Sequence, residues 1–317
     1  MYKVLNLRGL GVSGKQNELI ELALTYGFQA VEIDMADLVG RHDAMGKQFA
    51  CQFLQSAKTD MGTFRLPIKL GGTDEVYEAS IAKLDTMLDL ASTLNAKVCY
   101  VEIVPNNESY SFQECFEAHQ ARLQALAERF APHNIKIGLL LQASKSAPAD
   151  GTFKFVQTAE EMVTLVKAVN HPNVGICLDT WEWALGGGTV AQLTEAGIAD
   201  NVTEVRLADV CPEADRDNIK SSHRTALPAN AAGSFSYEVM QAVVASGADL
   251  AVSVATDQST FSGANRDKVV EAISKQLDLL IEGKDPVAVA QEEAAAAAAA
   301  AEAEAEEEAV AEAGAAN

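Results

Sequence analysis

Positive charge is scarce in this chain: 24 lysines and arginines face 45 aspartates and glutamates, giving a formal net charge of −21 at pH 7. Holding a nucleic-acid backbone requires clustered cations that displace its counterions, so that class of partner is excluded. Cysteine is sparse as well. Cys51, Cys99, Cys115, Cys177 and Cys211 fall at no metal-ligand spacing, and Cys99 and Cys177 sit inside apolar runs. They read as reduced packing residues of a cytoplasmic protein. No apolar run approaches the length of a membrane span. Met1 to Arg8 begins directly as a strand, without the cationic segment and apolar stretch of an export signal. Neither export nor membrane attachment is expected.

What the sequence has in quantity is alternation. Its 317 residues, 48% of them hydrophobic, can bury one large core. Strand-like runs occur at residues 3–7, 30–35, 63–70, 97–104, 135–141, 174–178, 202–208 and 250–255. Helical periodicity falls between and after them, at residues 16–26, 44–57, 74–94, 112–130, 159–169, 190–196, 237–246 and 265–281. Eight strand–helix units over residues 1–283 are what an α/β fold of the (β/α)8, or TIM barrel, type requires. Residues 284–317 are expected to stand apart. Between Val287 and Asn317 there are eight glutamates and no Lys or Arg, and removing those charges from −21 leaves −13 for the rest. Residues 294–301 are all alanine. High helix propensity with no apolar stripe predicts a disordered tail or a solitary helix, its partner unspecified.

The run Val174-Gly175-Ile176-Cys177-Leu178-Asp179-Thr180-Trp181-Glu182-Trp183, followed by glycines at 186–188, supplies the leading site candidate. An acid at the C-terminal end of a barrel strand is where α/β barrels place their chemistry, which singles out Asp179. A second pattern, Gly9-Leu10-Gly11-Val12-Ser13-Gly14 with Asp34 twenty residues on, matches a dinucleotide fingerprint. Polar Asn6 and Arg8 precede the glycines where small apolar residues belong, and Gln16 replaces the hydroxyl residue of a P-loop. A glycine-rich barrel loop is the favoured reading, with nucleotide binding as a minor alternative.

Several segments together resemble the xylose-isomerase-like barrels of the sugar phosphate isomerase/epimerase superfamily. They are Ile137 to Lys145, Asn173 to Trp183 with the glycines beyond, Val205 to Asp209, Asp217-Asn218 with Arg224 to Pro228, and Val252 to Thr256. The resemblance implies a divalent metal held by a Glu ending strand five, an Asp ending strand six, a His on strand seven and a Glu ending strand eight. It also implies a further His in a D-x-x-H pattern after the strand-six Asp. Here those positions fall on Leu140, Asp179, Arg206, Ala255 and Glu182. One ligand of five is retained, and a cation at Arg206 opposes a divalent metal. Of the five histidines, none ends a predicted strand; only His42 and His223 lie on the mouth side.

The expectation is therefore a degenerate barrel without metal or other cofactor, acting as a binder of a small sugar-like molecule or as a scaffold. Asp179 and Arg206 are expected to pair, with Trp181, Trp183, Asp209, His223 and Arg224 contributing to the mouth. The alternative is an active sugar isomerase or epimerase. It would use Mg2+ or Mn2+ on a rebuilt carboxylate set of Asp179, Glu182 and Asp209, or metal-free acid–base chemistry with Glu182 as base. Assembly into a homo-oligomer is left open.

Overall fold

The computed structural model describes residues 1–12, 15–145, 152–211, 214–215, 218–225, 234–257 and 259–315. Eight parallel strands close a barrel: β1 (Tyr2–Leu5), β2 (Ala30–Glu32), β3 (Asp60–Arg65), β4 (Val98–Ile103), β5 (Lys136–Leu141), β6 (Val174–Asp179), β7 (Val202–Leu207) and β8 (Ala251–Val254). Closure is made by β1 on β8, with Tyr2 opposite Ala251 and Lys3 opposite Val252. The expected TIM barrel is the observed fold.

The surrounding helices are α1 (Gln16–Thr25), α2 (Met35–Met45), α3 (Lys47–Ala57), α4 (Asp74–Ser80), α5 (Leu84–Thr93), α6 (Phe112–Phe130), α7 (Ala159–Val169), α8 (Thr180–Leu185), α9 (Val190–Ala196), α10 (Ile198–Asn201), α11 (Phe235–Ser246) and α12 (Arg266–Ile281). Side-chain caps start the longer ones. Ser111 and Glu114 form a reciprocal capping box on α6, as Thr158 and Glu161 do on α7. The helix expected over residues 44–57 is α3, which starts only at Lys47 because Gly46 at φ 85° separates it from α2, a helix that was not expected. The single helix expected over 74–94 is divided into α4 and α5. A last helix, α13 (Pro286–Ala315), carries the alanine run, whose side chains are exposed.

Alternation along the strands sorts side chains between two cores. Ile137, Leu139 and Leu141 of β5 join the main core under the helices, whereas Leu140 packs inside the barrel with Tyr100 and Cys177. The interior below that layer is made of small residues. A Cβ on Gly62 would sit 2.7 Å from a Val4 methyl, and one on Gly138 would sit 2.8 Å from Cys177 Cβ. Only glycine fits at these two crowded positions, and β7 adds the buried charged side chains Glu204 and Arg206.

Candidate functional site

The mouth of the barrel holds a cavity of about 930 Å3 at the C-terminal strand ends, and a recess of about 700 Å3 adjoins it through Arg8, Glu32, Arg65 and Tyr100. Asp179, Glu182, Trp181, Arg206 and Arg224 all line the cavity. Asp179 ends β6 and caps α8. Its Oδ1 accepts from the amides of Trp181 and Glu182, each at 3.1 Å. That capping fixes the turn that brings Glu182 back over the mouth.

Arg206 does not pair with Asp179, although the two are register neighbours on β7 and β6. Its guanidinium crosses the barrel to Glu32 on β2, with Nη2 3.1 Å from Oε2, lies 4.4 Å over the Tyr100 ring, and stays 3.6 Å from Glu204. Tyr100 donates its hydroxyl to Glu32 Oε1 at 3.0 Å, and Cys177 donates to Glu204 Oε1 at 2.8 Å. Two acids already flank Arg206 here, so this long side chain is neutralised within the barrel wall. Burial disfavours charge on Arg206, but Glu32, Tyr100 and Glu204 outweigh it and hold its pKa well above the ordinary value. Burial raises the Glu32 pKa above the usual carboxylate range against the pull of Arg206.

The partner of Asp179 is Arg224. After β7 the chain doubles back as a short antiparallel pair, Asp209–Val210 with Arg224–Thr225, which returns Arg224 over the mouth. Its Nη1 donates to Asp179 Oδ2 and to the Ala255 carbonyl, both at 2.8 Å, and its Nη2 donates to Glu182 Oε1 at 3.2 Å. The guanidinium lies 4.3 Å over the Trp181 ring. Ser144 completes the set, donating its amide to Glu182 Oε2 and its hydroxyl to Oε1, each at 2.8 Å. Burial and the neighbouring Asp179 raise the pKa of Glu182, and Arg224 and Ser144 oppose them.

Three expected mouth residues do not line the cavity. Trp183 is buried in the main core, where its Nε1 donates to the Thr189 carbonyl at 3.4 Å and its ring packs on Gly188. Two positions apart on a helix face opposite ways, so Trp181 takes the mouth and Trp183 the outer core. Asp209 is turned away, its Oδ1 accepting from the Ser236 amide at 2.9 Å. His223 caps its own turn, Nδ1 accepting from the Lys220 amide at 3.2 Å.

The glycine loop after β1 offers no phosphate cradle among its described residues. The amides of Gly9, Leu10, Gly11 and Val12 donate within the loop itself, to Asn6 Oδ1 and to the carbonyls of Asn6, Leu7 and Arg8. Asp34 is the N-cap of α2. Ser13 and Gly14 lie outside the described residues, as do Asp217 and the segment 226–233 that carried part of the resemblance.

The donor set does not fit a divalent metal. Among the described residues no three His, Cys, Asp or Glu side chains gather as a metal would need. Both oxygens of Asp179 and of Glu182 accept hydrogen bonds from protein donors. Asp209, required for the rebuilt carboxylate set, faces Ser236 instead.

Residues 20–280 match the family model of the xylose isomerase-like TIM barrel. The chain belongs to that family. A comparison with curated proteins finds no match. Among solved structures, a xylose isomerase domain protein from Alicyclobacillus acidocaldarius superposes with a TM-score of 0.75 at 16% identity, covering 89% of this chain and 98% of that one. An IolI protein with a bound zinc atom gives a TM-score of 0.73 at 16% identity, over 90% and 100%. A D-psicose 3-epimerase determined in the presence of D-fructose gives 0.65 at 15% identity, over 88% and 98%. At these identities the likeness is one of fold.

The sequence reading missed Glu32, Tyr100 and Ser144. Glu32 had a visible signal, an acid ending the apolar run Ala30-Val31.

Proposed function

We propose that this xylose isomerase-like barrel is a metal-independent binder of a sugar-like polyol at its mouth and has lost the family's catalysis. One arrangement carries this reading. The buried carboxylates Asp179 and Glu182 are both held by Arg224, while three other cavity residues carry buried polar atoms without a hydrogen-bond partner. Those atoms are Gln142 Oε1, Trp181 Nε1 and Arg206 Nη1, on residues 5%, 1% and 6% exposed. A buried polar atom without a partner costs about 1–3 kcal/mol, which a ligand hydroxyl or ordered water recovers. Gln142 Oε1 is an acceptor, Trp181 Nε1 a donor, and Arg206 Nη1, 3.6 Å from Glu204 but not hydrogen-bonded to it, a second donor; together they match the hydroxyls of a polyol, which both donate and accept. A reducing cytoplasmic setting agrees with five free cysteines, and no helix among the described residues is long and apolar enough to cross a membrane.

The test is calorimetric titration of chelator-treated protein with neutral hexoses and inositol, with NMR of the recovered sugar. The expected outcome is saturable binding without conversion, weakened by Gln142→Leu. Binding that appears only with Mn2+, Mg2+ or Co2+, or no binding of any polyol, overturns the proposal.

A second reading, an active sugar isomerase or epimerase, has one observation in its favour. The raised pKa of Glu182 is the direction a general acid needs at neutral pH. Conversion of a sugar by the metal-free protein, abolished in Glu182→Gln, would establish it.

A further inference from the structure

Two cations of the mouth are claimed by no carboxylate, and they stand on opposite sides of it. Arg8 follows β1 and Lys145 follows β5. In the closed strand order β1-β8-β7-β6-β5-β4-β3-β2 those strands are four steps apart in either direction, the widest separation an eight-stranded barrel offers. Both side chains are exposed and both residues line the cavity. Among the described residues neither side chain makes a hydrogen bond or an ion pair, whereas the other three cations of the cavity are engaged. Arg65 is 2.9 Å from Glu102, Arg206 is 3.1 Å from Glu32, and Arg224 is 2.8 Å from Asp179. Of the acids near the β1 side, Asp257 accepts from the amide of Ser259 at 2.9 Å and from its hydroxyl, and Glu32 is held by Arg206.

We propose that the ligand is a polyol bearing an anionic group at each end, gripped by Arg8 at one rim and Lys145 at the other. Its hydroxyls then meet the partnerless polar atoms between them. This rests on reading the mouth as a polyol site. The dimensions agree. Strand spacing and tilt make an eight-stranded barrel on the order of 15 Å across. A six-carbon chain with terminal carboxylates spans roughly 8 Å from standard bond lengths, and the Arg and Lys stems cover the remainder. The chain's overall negative charge repels a dianion at long range, but screening confines that effect to about 8–10 Å at moderate salt, so the two rim contacts decide affinity. Carboxylate and phosphate share the required chemistry. Arg8 is suited to a planar bidentate anion and Lys145 to a point contact.

Two probe series separate the sources: D-glucose, D-gluconate and D-glucarate, and D-fructose, D-fructose 6-phosphate and D-fructose 1,6-bisphosphate. Titrations of the whole chain at low and moderate salt read the result. In at least one series each added anion tightens binding by about tenfold, the gain shrinks with salt, and the series that shows it names the anion. Arg8→Gln and Lys145→Gln each return the dianion to the affinity of the monoanion and leave the neutral sugar unchanged. Both side chains are exposed and, among the described residues, make no hydrogen bond or ion pair, so loss of folding is not expected, and melting curves check it. Equal affinity for neutral and dianionic members in both series overturns the inference while leaving the polyol site intact. So does an equal loss for neutral and dianionic ligands in the two variants. Absence of binding by all six probes removes the polyol site, and the inference with it.

Discussion

Replacing Arg224 by methionine removes the cation that joins Asp179, Glu182 and the Ala255 carbonyl. The two acids are 5% and 2% exposed, so their charges lose their partner without gaining water. Breaking a buried pair in this way costs about 3–5 kcal/mol. The methionine keeps much of the apolar contact with Trp181 but loses the cation over its ring, about 0.5–2 kcal/mol more. For a barrel of this size 1 kcal/mol moves Tm by about 2–4 °C, so a drop on the order of 10 °C is expected at pH 8. The loss shrinks at lower pH. Arg224 is one of the groups holding the Glu182 pKa down, so without it the folded state binds that proton more tightly. A folded-state pKa above the unfolded value makes stability fall as pH rises through that window. Urea titrations at pH 5.5 and 8 measure both effects, and Arg224→Met/Glu182→Gln should recover part of the loss at pH 8. A cost under about 1 kcal/mol that does not change with pH would refute the argument, because Arg224 would then be an ordinary surface cation.

Other expectations follow from buried groups elsewhere. His119 donates its Nδ1–H to the Cys115 carbonyl at 2.7 Å, and burial lowers its pKa from 6.5 to about 4. Its contribution is complete above pH 6.5 and is lost as pH falls towards 4, roughly 3 kcal/mol at 1.36 kcal/mol per unit; His119→Phe should flatten the urea midpoint over that range. Gly188→Ala would place a Cβ 2.6 Å from Trp183 Cε2, and an overpacking cost of about 1–3 kcal/mol is expected in denaturant titration. Gly187→Ala meets nothing within 4 Å and should cost about 1 kcal/mol through its φ of 72° alone. Truncation after Ala290 removes the exposed alanine run and should leave Tm within about 1 °C, since no buried side chain is lost among its described residues.

The eight strands were legible because parallel barrel strands are buried on both faces and appear as short apolar runs between helical periods. Helix boundaries were less so. Gly46 carries a break that periodicity across 44–57 passes over. At the mouth, Asp179, Glu182 and Arg224 were found from strand position and motif, but their connection was not. Asp179 and Arg206 are register neighbours, and proximity in register suggested the pair. The actual partners depend on contacts that only closure creates. Arg206 reaches Glu32 three strands away, and Arg224 returns through a two-residue antiparallel pair too short to have a sequence pattern. Trp183 was misplaced for a different reason: no helix was expected between residues 178 and 190, whereas Asp179 caps one there that turns Trp181 and Trp183 to opposite faces.

The central proposal, that the mouth binds its ligand without a metal while Asp179 and Glu182 are held by Arg224, is tested most directly by Tm of chelator-stripped protein with and without millimolar Mn2+, Mg2+ or Co2+. A cation bound to the native state at a thousand times its Kd would add about 4 kcal/mol by mass action. No change in Tm is the expected result. A rise of several degrees that disappears in Asp179→Ala would contradict the account.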